Sequence, residues 1–139
     1  MPQMSGGEAV VQTLVTEGVK AVFGLPGTHA LALFDALNDA PGIRRITTRH
    51  EQGAAYMADG YARATGRPAI ANIHIAGGLA NGISGLYNAF RGGTPLVLTA
   101  GNSDTRMMLQ EPTLSGDLVE MTAQFTTVSY THLRAHETS

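Results

Sequence analysis

The chain has 139 residues, 43% of them hydrophobic, which suits one domain with a packed core and excludes disorder. Charged residues make up 14% and the formal net charge is −2; Lys20 is the only lysine and the arginines are scattered, so no basic run offers itself to nucleic acid or to an anionic membrane surface. There is no cysteine, which excludes a disulfide framework and thiolate zinc sites, no apolar run approaches the roughly 18 residues of a membrane span, and no signal-peptide layout opens the chain, so a soluble cytoplasmic protein is the expectation.

Ser5-Gly6-Gly7-Glu8 has the form of a capping box, and Val10, Val11, Leu14 and Val15 follow at helical spacing until Gly18. Ala21–Phe23 reads as a short buried strand ending in Gly24-Leu25-Pro26-Gly27. A helix is predicted over Ala30–Leu37, a second strand over Ile43–Thr47, a helix over Glu51–Thr65 closed by Gly66, and a third strand over Pro68–Ile75. Gly78–Phe90 reads as a helix, Pro95–Ala100 as a fourth strand, 101–117 as polar and irregular, and Leu118–Phe125 as a short helix. Strands alternating with helices at this spacing imply right-handed βαβ units and an α/β fold. The sheet is expected to be doubly wound and mainly parallel, with helices on both faces and strands apolar nearly throughout.

The tail departs from this pattern. Val128–Thr138 resembles the translated read-through of a transposase adapter used in DNA sequencing libraries, so the domain is expected over 1–127 and a non-native tail over 128–139. His132 and His136 stand four apart, as a metal pair on a helix would, but no further ligands accompany them.

In an open α/β sheet, ligands bind at the carboxyl ends of the strands. Three such ends carry unusual residues here: Gly24-Leu25-Pro26-Gly27-Thr28-His29, Arg49-His50-Glu51 and His74-Ile75-Ala76-Gly77-Gly78. One edge therefore collects a Gly-rich turn, a carboxylate, a histidine and a second Gly turn. Each has a structural alternative: a tight strand-to-helix turn, a carboxylate at the positive end of a helix dipole, and a core histidine. No G-x-G-x-x-G occurs, which counts against a dinucleotide site. Gly53 and Gly60 inside a predicted helix cost about 1 kcal/mol each relative to Ala, which suggests close approach by another helix or a ligand. Tyr56, Met57 and Tyr61 read as core or interface residues.

Three segments together resemble the pyrimidine-binding domain of the thiamine-diphosphate-dependent enzymes: Phe23–Gly27, the Arg49-His50-Glu51-Gln52-Gly53 run that continues to Arg63, and Thr94–Gly101. The resemblance covers roughly residues 4 to 126. It implies that Glu51 hydrogen-bonds the aminopyrimidine ring of thiamine diphosphate and favours the imino tautomer that removes the thiazolium C2 proton. It further implies that Pro26, Gly27 and Asn81 border the cofactor. Asn72–Asn81, with a histidine at position 74, is similar to the benzoylformate decarboxylase branch, where that histidine transfers protons near the intermediate. The resemblance makes His74 catalytic and substrate-facing, and Thr28 a substrate contact whose extra methyl puts an aryl substrate in doubt.

What the resemblance implies for the intact protein is a 2-oxo-acid decarboxylase working on a small 2-oxo acid, with Mg²⁺ and the diphosphate held by a later domain through a G-D-G…N motif that does not occur in this sequence. It implies a homodimer or homotetramer, since such sites form between two copies of the chain. Alternatives are an acetolactate-synthase-like carboligase and a non-catalytic α/β binding module. No metal ligand is expected in this chain.

Overall fold

A computed structural model describes residues 4–129 other than 111. Helix α1 spans Gly6–Thr16. Its start is the reciprocal capping box: the Ser5 hydroxyl accepts from the Glu8 amide and the Glu8 carboxylate accepts from the Ser5 amide. Strand β1 is Ala21–Gly24, and a 3-10 turn over Thr28–Ala30 leads into α2, Leu31–Asn38. Strand β2 is Arg44–Thr47. Helix α3, Glu51–Thr65, ends at Gly66, whose φ of +67° makes the left-handed cap that only glycine takes freely. Strand β3 is Ala69–Ile73, α4 is Ile75–Gly92, β4 is Leu96–Ala100 and α5 is Leu118–Thr122.

The four strands are parallel and lie in the order β2-β1-β3-β4. The chain therefore moves outward from β1 to β2, crosses back over β1 to β3, and continues to β4. Helices α1 and α2 cover one face, and α3 and α4 the other. The reversal falls between β1 and β3, and in such sheets the crevice for ligands opens at that point.

Alternation along each strand sorts the core into two layers. Val22 and Ile70 point to the α1/α2 face and pack with Val11, Phe34, Leu37 and Ile43. Ala21, Phe23, Ala69 and Ala71 point the other way and meet Ala54, Ala58 and Ala62 of α3. The alanines on both sides let α3 lie close to the sheet. Helix α4 approaches α3 in the same manner: a Cβ on Gly85 would stand 2.5 Å from the Ala55 Cβ.

The two helices are also joined by charge. Asp59 on α3 is buried and accepts from Arg63 Nε at 2.9 Å and from Asn88 Nδ2 of α4 at 2.6 Å. Burial pushes the Asp59 carboxyl up, but the bonds from Arg63 and Asn88 outweigh it and hold it below the ordinary carboxylate value. A lowered folded-state value means that the ionised group stabilises the fold above its unfolded value, about pH 4, and that this contribution is lost as the pH falls through the folded value. Asp59→Asn should therefore lower the urea midpoint at neutral pH, and the gap from the unmodified chain should narrow near pH 3. A gap of equal size at both pH values would show that the carboxylate charge contributes nothing.

Several expectations change. Strand β2 is not apolar throughout: Arg44, Arg45 and Thr47 are exposed, because β2 is a sheet edge. The third strand stops at Ile73, and α4 begins at Ile75 rather than Gly78. The reason is local: Ile75 takes φ +47°, which turns the chain straight from strand into helix. A β-branched residue pays for that conformation, on the order of 1–3 kcal/mol, and full burial of its side chain holds it there. Part of the irregular stretch forms a 3-10 turn over Thr105–Gln110. Gly53 and Gly60 are not close-approach sites within this chain, since a Cβ on Gly60 would meet nothing within 4 Å and one on Gly53 only Thr48 at 4.0 Å. Tyr56 and Met57 are exposed, whereas Tyr61 packs on Phe23 with ring centroids 5.6 Å apart. His132, His136 and all of the tail from residue 130 onward lie outside the described residues.

Candidate active site

The carboxyl ends of β1, β2 and β3 deliver the residues singled out in the sequence. Glu51 is the first residue of α3, directly after β2, and His50 caps that helix through its own ring. The Glu51 side chain turns inward instead of facing water, and the residue is 8% exposed. One carboxylate oxygen, Oε2, accepts from Asn81 Nδ2 of α4 at 3.1 Å. The other, Oε1, lies against Gly78, where a Cβ would stand 2.7 Å away. Glycine at 78 thus leaves that oxygen uncovered, and no described group donates a hydrogen bond to it. A shielded carboxyl with one oxygen held and one oxygen free suits a single hydrogen bond to a ring nitrogen.

His74 is the N-cap residue of α4 and is half-buried at the end of β3. Its carbonyl accepts from the Gly78 amide at 3.2 Å, so the glycine that borders Glu51 is tied to the histidine. The ring rests on the β1–α2 turn: a Cβ on Gly27 would fall inside it. His74 Nε2 faces His29 Nδ1 at 3.2 Å. The His29 backbone in turn packs on Gly101 at the end of β4, where a Cβ would stand 2.6 Å from the His29 carbonyl oxygen. Pro26 and Thr28 are exposed on the same turn. Below this edge Asn72 is buried, donates to Thr99 Oγ1 at 2.9 Å, and leaves its Oδ1 without a hydrogen bond.

The structure brings Gly27, Thr28, His29 and His74 to one spot, and Glu51, Gly78 and Asn81 to another, joined through the first turn of α4. The His29–His74 pair was missed in the sequence, since residues 45 apart give no pairing signal. The close packing of α4 does carry a sequence signal: Gly78, Gly82 and Gly85 recur at helical spacing on the face that meets Glu51, Ile73 and Ala55.

A doubly wound parallel sheet with a shielded carboxyl and a histidine pair at its switch point defines an α/β cofactor-binding domain. The family described as thiamine pyrophosphate enzyme, N-terminal TPP binding domain, matches residues 4–122, and the chain belongs to it. It is 42% identical over 108 residues to the acetolactate synthase isozyme 3 large subunit of Escherichia coli K12, covering 78% of this chain and 19% of that protein. It is 41% identical over 95 residues to the probable 2-ketoarginine decarboxylase AruI of Pseudomonas aeruginosa, covering 68% of this chain and 17% of that protein. An X-ray structure from Mycobacterium smegmatis, assigned to the thiamin diphosphate-dependent enzymes, superposes with a TM-score of 0.85 at 33% identity over 98% of this chain and 26% of that one. The chain thus spans about a fifth of the length of these curated relatives.

The family's cofactor can be tested against the residues present. Glu51 with its uncovered Oε1 and the absent Cβ at Gly78 fit the pyrimidine end of thiamine diphosphate. Among the described residues no three His, Cys, Asp or Glu side chains come together as a metal cluster. No described helix is long and apolar enough to cross a membrane.

Proposed function

We propose that this domain activates thiamine diphosphate in an enzyme that decarboxylates a small 2-oxo acid, of the benzoylformate decarboxylase type. The observation that carries the reading is the buried Glu51 carboxyl with Oε2 held by Asn81 and Oε1 left free. When bound, thiamine diphosphate supplies the electron sink for cleaving the bond between the carboxylate and the 2-carbonyl carbon. Glu51 holds a proton at its free oxygen against the pyrimidine, and Asn81 keeps the carboxyl from turning away. We also assign Pro26 and Gly27 to the border of the cofactor. Gly27 leaves room for the His74 ring, and we assign Thr28 to contact the substrate. Mg²⁺ and the diphosphate would be held outside these residues, by a later domain of a second copy of the chain in a homodimer or homotetramer. We assign residues 1–127 to the domain and 128–139 to an adapter-derived tail, which sequencing of the parent gene checks.

A second reading is an acetolactate-synthase-like carboligase, favoured by similarity to acetolactate synthase large subunits from several bacteria. His74 separates the two. In the intact enzyme His74→Ala should slow 2-oxo-acid decarboxylation at least about tenfold, below the usual 10²–10⁴ contribution of a positioned acid or base. Unchanged kinetics would make His74 a packing residue and favour the carboligase.

A further inference from the structure

We infer that His29 is a positioning residue for His74 and that the two imidazoles form one proton-sharing unit, with outward ends at His29 Nε2 and His74 Nδ1. The facing nitrogens, His29 Nδ1 and His74 Nε2, stand 3.2 Å apart, within hydrogen-bond reach. The rings are tilted 40° with centroids 5.3 Å apart, so the nitrogens meet rather than the ring faces. Glycines permit the approach: Gly27 lies beneath the His74 ring, and Gly101 sits against the His29 backbone and Cβ.

Chemistry then restricts the pair. A neutral imidazole carries one N–H and one lone pair. If His74 Nε2 carries hydrogen, His29 Nδ1 must accept it, and both rings carry their proton on Nε2. If His29 Nδ1 carries hydrogen, His74 Nε2 accepts it, and both rings carry their proton on Nδ1. The mixed combinations set two N–H groups or two lone pairs against each other. Passing between the two allowed states takes up a proton at one outward nitrogen and releases one at the other, with the inner proton crossing the bond, so the pair's charge is unchanged. His74 therefore has Nδ1 as its one ring nitrogen free to meet a ligand. The Glu51 carboxylate is held by Asn81, and the His50 ring accepts from the Gln52 amide of its own helix.

Naming Nδ1 as the atom that meets substrate rests on the proposed function; the pairing itself does not. The test uses the cofactor-free 139-residue chain labelled with ¹⁵N at histidine, at roughly pH 8, above the ordinary histidine range. Long-range ¹H–¹⁵N correlations should show both rings in the same tautomer, with one imidazole N–H protected from solvent exchange. His29→Phe should lose that protected signal. His29→Asn, whose amide oxygen can stand where Nδ1 stood, should restore it. Opposite tautomers in the two rings, or a protected signal that survives His29→Phe, overturn the inference. If backbone amide spectra show that His29→Phe does not fold, the tautomers of the unmodified chain decide: the same tautomer in both rings supports the pairing, and opposite tautomers overturn it. Kinetics of His74→Ala bear on the function and leave this result untouched.

Discussion

Glu51→Gln in the intact enzyme is expected to keep the fold and to lose most cofactor activation, on the order of the 10²–10⁴ that a positioned proton donor contributes. Glutamine matches glutamate in shape, and its amide oxygen can still accept from Asn81, which now meets Oε2 at 3.1 Å. The group at the Oε1 position would then be an amide NH₂. It can donate a hydrogen bond but cannot accept a proton or give one up, so the tautomeric shift on the pyrimidine loses its partner. The residue is 8% exposed, and water has little room to substitute. The measurement is exchange of the C2 proton of bound thiamine diphosphate, followed beside a thermal melt. Exchange at the unmodified rate with an unchanged melt would remove Glu51 as the activating residue. Loss of exchange together with a collapsed melt would assign it a structural role instead.

Gly85→Ala is expected to destabilise the domain by up to about 2 kcal/mol, the usual overpacking cost of about 1–3 kcal/mol less the helix propensity that alanine gains. The new Cβ would stand 2.5 Å from the Ala55 Cβ and 3.1 Å from the Ala55 carbonyl carbon and the Tyr56 nitrogen. Two of those three atoms are backbone, so relief requires α3 and α4 to separate, and both pack on the layer that positions Glu51. The overpacking offsets the gain of about 1 kcal/mol that alanine brings over glycine in a helix interior. Gly60→Ala isolates that gain. Gly60 lies inside α3 and a Cβ there meets nothing within 4 Å, so the substitution should stabilise the chain by up to about 1 kcal/mol. Urea midpoints of both variants against the unmodified chain decide the matter. A stabilised Gly85→Ala would mean that the two helices do not pack as closely as described.

The two glycines show where sequence reasoning reaches its limit. Both lie inside helices and both lower intrinsic helix propensity, so from sequence they look alike. Gly60 faces open space in this chain while Gly85 is wedged against α3, and only the crossing of two helices distinguishes them. The same holds for His74: its place after an apolar strand is local information, but its partner His29 is 45 positions away and arrives through the parallel pairing of β1 with β3.

The sequence by itself determined the alternation of strands and helices, the Ser5–Glu8 cap, the Gly66 stop, and the strand ends at which Gly27, Glu51 and His74 emerge. Those features rest on capping, backbone geometry and hydrophobic periodicity, each set within a few residues along the chain. Only the tertiary structure decided that β2 is an edge, that Asn81 holds Glu51, that Asp59 bridges α3 to α4, and that two histidines share a contact. Each of these depends on which strand lies beside which and on how near two helices come. Strand order and helix approach are settled by burial summed over the whole core: the helical spacing of Gly78, Gly82 and Gly85 marks a face for close approach, but which element meets that face depends on the sum and not on the local pattern.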